Sequence, residues 1–174
     1  MARLIWLAIA VLTVVQSLSA QVAAEYPLKA AVLYNLAAFV VWPVGSFANA
    51  HDPIAVCVLG QNPFGQALDE AVRGKTAGDR SLVARRVSTA QQARQCHVLF
   101  VSSSERNRLT AVIADLEGAS VLTVGETDDF IASGGIVSLK LDGERVRMDI
   151  DPEAAGRAGL RVSSKLLSLA NRKK

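Results

Sequence analysis

The residues able to do chemistry in this 174-residue chain are few. His51 and His97 are its only histidines, and Cys57 and Cys96 its only cysteines. A serine nucleophile needs a base within reach and a tight turn that lifts its hydroxyl clear of the sheet. The run "SSSER", 102 to 106, lacks the Gly-x-Ser-x-Gly elbow that builds such a turn. Ser104 reads instead as the cap of the helix that follows. The acid pair Asp128 and Asp129 sits in polar, turn-like sequence and reads as solvated surface. No constellation here would run a reaction, so the expectation is a protein that is not an enzyme and holds no cofactor.

The cysteines leave two readings. Both lie in or beside apolar, β-like runs, "IAVCVLG" and "CHVLFVS". They pair as a disulfide, or they bind a metal with His97 and His51 as further ligands. Neighbours in a strand point to opposite faces, so Cys96 and His97 share one ion poorly. No Cys-x-x-Cys is present to suggest a redox enzyme. Compartment favours the disulfide. The chain opens MARLIWLAIAVLTVVQSLSAQVAA, one early Arg3 and an uncharged apolar run from Leu4 to Val15 followed by small residues, the order of a secretory signal peptide. Cleavage is expected after Ala24, with Ala20 second, and export places the thiols where disulfides persist. No metal site is expected. Closing the separation between Cys57 and Cys96 would contribute about 4 kcal/mol by loop entropy.

Removing that segment takes away Arg3 alone and leaves 18 basic against 16 acidic residues, a formal charge of +2. Such near neutrality gives no reason to invoke nucleic acid. The remaining residues, 25–174, suit a single domain.

Two phosphate-loop resemblances fall short. "RGKTAG", 73 to 78, has Asp69 where a P-loop needs its first glycine, and its Gly-Lys ends a helix instead of starting one. "LGQNPFGQALDE" joins a strand to a helix where open α/β sheets bind ligands, but carries only Gly60 and Gly65. Gly60, Asn62 and Gly65 form the candidate ligand turn. The plainer reading is a capped turn with Phe64 packed beneath it.

The elements that position these residues alternate. Residues 28–41 read as a helix that must end before Trp42, because Pro43 follows. Strand 54–60 leads to helix 63–74, with Asn62 as its cap and Pro63 its first residue. Strand 81–87, short helix 88–95, strand 96–102, helix 104–118 and strand 120–125 follow. The expected class is α/β, a mostly parallel sheet with helices on both faces. Residues 134–151 add a C-terminal antiparallel hairpin around Asp142-Gly143. A last helix begins near Ser163, and the tail 171–174 reads as a frayed, solvated end.

Helix 28–41 and the segment after it concentrate the aromatics. Tyr34, Phe39, Trp42 and Phe47 are four of nine in the chain. The helix is apolar on nearly every face, yet its 14 positions fall short of the roughly 20 that span a membrane. Leu33, Leu36 and Val40 are expected to pack on the sheet. Tyr34, Phe39 and Trp42 are candidates for a partner surface, given the aromatic excess at interfaces.

The order of "YPLKAAVLYNLAAFVVWP", "IAVCVLGQNPFGQALD", "GKTAGDRSLVARRV", "CHVLFVSSSE" and "VLTVGETDDFIASGGIVSLKLDGERVRMDIDPEAAGRAGLRVSSKLLSLA" resembles the YfiR-like periplasmic proteins, from Tyr26 to Ala170. The resemblance implies an α/β fold, members that can dimerise, and a non-enzymatic regulator. Such a regulator binds the periplasmic part of a membrane diguanylate cyclase and lowers cyclic di-GMP and biofilm formation. The family's cysteine pair carries over to Cys57 and Cys96 as a disulfide. A second disulfide of the best-studied member has no counterpart here. The other function weighed is a periplasmic small-molecule binding protein outside that pathway, with its pocket near Gly60 to Gly65.

Overall fold

A computed structural model describes residues 25–143 and 145–172. The expected signal peptide, residues 1–24, lies outside them. Helix α1 spans 25–39, with Ala30, Leu33, Leu36 and Ala37 buried. These recur every three or four residues, the stripe a helix presents to a sheet. Full burial of Leu33 and Leu36 contributes about 2 kcal/mol each. The helix stops two residues earlier than the sequence suggests. Val40 and Val41 leave it as strand β1 (Val40–Val41) and pair antiparallel with β9 (Arg161–Val162). Their branched side chains suit the extended backbone better, and the Ser163 N–H bonds the Phe39 carbonyl that the helix leaves free.

The main sheet is built from β2 (Ile54–Leu59), β3 (Thr76–Ala77), β4 (Arg80–Val87), β5 (Val98–Val101), β6 (Leu122–Gly125), β7 (Val137–Asp142), β8 (Arg145–Ile150) and β10 (Asn171–Arg172). Their order is β10-β8-β7-β6-β5-β2-β4-β3. The run β4-β2-β5-β6-β7 is parallel throughout. Every residue of β2, β5 and β6 is buried, which explains sequences that are apolar apart from Thr123. β7 and β8 form the expected hairpin, from Val137↔Ile150 to Asp142↔Arg145.

One face carries α1, α2 (Ala67–Val72), α5 (Pro152–Arg157) and α6 (Ser164–Leu169). The other carries α3 (Ala90–Ala93), α4 (Leu109–Asp115) and the Phe130 loop. Phe130 is clamped between glycines. A Cβ on Gly125 would stand 2.1 Å from its ring, and one on Gly135 2.2 Å.

Several local expectations are corrected. Asn62 does not cap α2, whose first turn begins after Gln66. Its Oδ1 accepts from the Phe64 N–H and its Nδ2 donates to the Gly65 carbonyl, closing an Asx turn that uses up the side chain before the helix starts. Helix 104–118 is a 3-10 turn, Ser103–Arg108, followed by α4. Ser102, not Ser104, caps that turn. Helix α5 was not anticipated, although Asp151 caps it and Pro152 opens it. The tail is not frayed at its start. β10 pairs Asn171 with Asp149 and Arg172 with Ile150, because main-chain bonds at the sheet edge outweigh the freedom of those two residues. The last helix agrees with expectation, with Ser163 capping α6 through the Leu166 N–H.

Candidate partner surface and ligand turn

Cys57 on β2 and Cys96, two residues before β5, form a disulfide with their Cα atoms 6.0 Å apart. The metal alternative loses its ligands. His97 faces away from the bond and serves the loop after Trp42. Its Nδ1 accepts from the Ala55 N–H at 3.1 Å, so Nε2 carries the proton and donates to the Ser46 carbonyl at 3.1 Å. Phe47 stacks on the ring at 4.2 Å, Trp42 meets it edge-on at 5.9 Å, and the Arg80 guanidinium covers Phe47 at 3.6 Å. Burial first, then the charges of Arg80 and Arg85, push the His97 pKa below 6.5, against the bond to Ser46, which raises it. His51 is exposed in the same loop. Among the described residues no three metal-ligating side chains converge.

The three aromatic candidates do not form one patch. Tyr34 and Phe39 are five residues apart on α1, about 140° around the helix. Tyr34 lies toward β3, with Lys75 Nζ 6.0 Å from its ring, and Phe39 toward α6, with Lys165 Nζ 5.5 Å from its ring. Both are half-buried, as is Trp42, whose indole N–H is buried without a partner among the described residues. Leu33, Leu36 and Val40 pack on the sheet as expected. Beside Trp42, Val41 is 54% exposed and Val44 fully exposed, an apolar lip that sequence reasoning missed. Only the burial of their neighbours distinguishes these valines from core residues.

At the ligand turn β2 and β5 stay paired to their carboxyl ends, and the connections that follow turn to opposite faces, to α2 and α4, the switch point where doubly wound sheets open a crevice. Here Gly60, at φ +88°, lies against the 3-10 turn. A Cβ would fall 2.5 Å from Ser104 Oγ and 2.8 Å from Glu105 Cγ. Ser104 Oγ also accepts from the Gln61 N–H at 2.9 Å. Phe64 sits beneath, 4.8 Å from Phe100, edge to face. Gly65 is exposed, with open space around its Cα.

A polar depression of about 480 Å³ opens nearby, at the carboxyl ends of β5 and β6. At its floor Lys29 is 2% exposed, bonded to Glu126 at 2.6 Å and paired with Glu25 one turn earlier. Tyr26 stands 5.1 Å from the ammonium. In sequence Lys29 only interrupts an apolar helix, and nothing local points to Glu126.

The five parallel strands, taken in chain order, lie 2-1-3-4-5 across the sheet, the arrangement of flavodoxin-like doubly wound domains. That is the class of the fold. The chain belongs to the YfiR/HmsC-like family, DUF4154, which it matches over residues 26–171. A crystal structure of a conserved domain protein from Vibrio cholerae O1 biovar El Tor N16961 is similar, with TM-score 0.52 and 13% identity over 70% of this chain and 55% of that one. An ABC domain in complex with L-Trp from Streptococcus pneumonia gives TM-score 0.49 and 9% identity, over 68% and 54%. The chain thus spans about half the length of the solved structures it matches. The likeness to the Vibrio cholerae protein is one of fold alone.

Proposed function

We propose that this protein is a periplasmic regulator that acts by binding. It restrains an inner-membrane diguanylate cyclase through the cyclase's periplasmic part, and so lowers cyclic di-GMP and biofilm formation. The observation that carries the reading is the family match from 26 to 171, nearly the whole described chain. The Cys57–Cys96 disulfide supports an oxidising compartment. The leader 1–24 would deliver the chain there. Among the described residues no helix is long and apolar enough to cross a membrane.

The partner surface we put forward centres on Trp42 with its exposed neighbours Val41 and Val44, while Tyr34 and Phe39 face β3 and α6 as separate candidate contacts. A restraint that can be lifted requires two states with different affinity for the cyclase. The test is cellular cyclic di-GMP in a deletion strain, complemented by the full chain or by one lacking residues 2–24. A rise rescued only by the full chain supports the reading. An unchanged level under several growth conditions overturns it.

A further inference from the structure

Strand β4 has an open side. Its inner edge pairs with β2 from Leu82 to Val87, but its outer edge meets β3 only at Ser81 and Arg80. The Leu82 N–H then bonds the Lys75 carbonyl, also on the outer side, and the covering chain ends there. Alternate residues of a parallel strand turn their peptide groups to the same edge. The N–H and C=O of Ala84 and Arg86 therefore face outward, and no strand among the described residues takes them.

The side chains around this edge are in basic excess, with Asp69 and Asp79 the acids nearby. β4 reads RSLVARRV, three arginines and no acid. Arg85 is exposed and has no ion pair among the described residues. Arg86 pairs with Asp69 yet remains exposed, and Arg73 and Lys75 stand exposed beside the strand. A second copy laid antiparallel on this edge would set arginine against arginine, so self-pairing is opposed. An acidic strand meets both the free peptide groups and the free charge.

We infer that the outer edge of β4, at Ala84 and Arg86, is a docking site for an extended acidic segment of a partner protein, added as a further strand of the sheet. The inference rests on the reading that this protein acts by binding, and it adds a contact apart from the Trp42 lip.

The test uses a capped, fluorescein-labelled heptapeptide of alternating glutamate and valine, a version with lysine for glutamate, and the oxidised mature protein. The acidic peptide binds and the lysine peptide does not. On binding, the amides of Ala84 and Arg86 gain hydrogen-exchange protection, while those of Val83 and Arg85, already turned to β2, do not change. Ala84→Pro removes an outward N–H and spares the inner ladder, and weakens binding about three- to tenfold, as the loss of one net hydrogen bond does. Arg85→Glu, a surface change that leaves the fold intact, also weakens it, and added salt weakens the wild type.

Equal binding of both peptides, no acidic binding at millimolar peptide, or protection elsewhere on the sheet overturns the proposal. So does a dimer in solution that Ala84→Pro dissolves, which would make a second copy the occupant. The two readings fail separately. Deletion without effect on cyclic di-GMP removes the regulatory role while peptide binding stands. Arg85→Glu that restrains the cyclase fully but no longer binds peptide removes the edge from that role.

Discussion

Lys29 on α1 and Glu126 after β6 are joined by a 2.6 Å ion pair across 97 residues of chain, with the lysine 2% exposed. The pair ties the first helix to the carboxyl end of the sheet. Removing one partner strands the other charge, which costs about 3–5 kcal/mol. Lys29→Ala is therefore expected to lower the denaturation midpoint severely. Lys29→Met combined with Glu126→Gln should be milder than Lys29→Ala, as urea melts of the variants will show.

The same group sets an alkaline limit. Burial would lower the Lys29 pKa, but hydrogen bonds to Glu126 and Glu25 outweigh it and raise the value above 10.5. Stability from the lysine is thus full below pH 10.5 and is lost as pH climbs through the folded value. Tyr26 acts in the same direction, raised above 10.0 first by burial and then by the charge of Glu126. Thermal melts between pH 8 and 12 should fall steeply for the wild type and less so for the Lys29→Met, Glu126→Gln double variant.

His97 sets an acid limit. With its pKa below 6.5, the unfolded chain takes up the proton first, so stability is full above pH 6.5 and declines as pH drops through the folded value. Protonation also ends acceptance from the Ala55 N–H. Melts from pH 4 to 7.5 should show an excess acid loss in the wild type that His97→Gln lacks. An identical pH profile in the two proteins would refute this role.

The disulfide is expected to contribute about 4 kcal/mol, or roughly 10 °C in melting temperature for a domain of this size. Cys57→Ala with Cys96→Ala tests that value. Mass mapping of periplasmic protein without reductant should recover residues 57 and 96 in one linked pair.

Phe130 should behave as a unit with its glycines. Gly125→Ala or Gly135→Ala forces the ring aside and costs about 1–3 kcal/mol, and Phe130→Ala about 3–5 kcal/mol. In the Phe130→Ala background the Gly135→Ala penalty should shrink, a coupling measurable in a double-mutant cycle.

The central strands were legible because β2, β5 and β6 are buried on both faces and so carry a single polar side chain, Thr123, whose hydroxyl accepts from the Ile136 N–H. Asp142-Gly143 announced its hairpin through a turn that only a few residue types make. The two-residue strands β1, β3, β9 and β10 are too short for any period to register. Asn62 looked like a cap because caps and Asx turns use the same side chain, and only distance tells them apart. The cysteine pair could be named from compartment and from there being just two cysteines, yet His97 beside it showed its purpose only once Ser46 and Ala55 were placed around it. Lys29 stayed hidden for a related reason, since its meaning lies in a residue on a distant strand.

The chain from Cys57 to Cys96 leaves β2, runs through α2, β3, β4 and α3, and returns on the opposite side of β2. The sulfurs can meet only where β2 and the start of β5 have come together. Once they are joined, everything between becomes a ring, and β4 seeks its neighbour from inside a tether that has already met the entropy of closure. For a polypeptide crossing a membrane as an unfolded thread, this turns a search among distant segments into a short-range one. In the proposed periplasmic setting, oxidation would then govern how soon, and not only how firmly, the basic edge of the sheet takes shape.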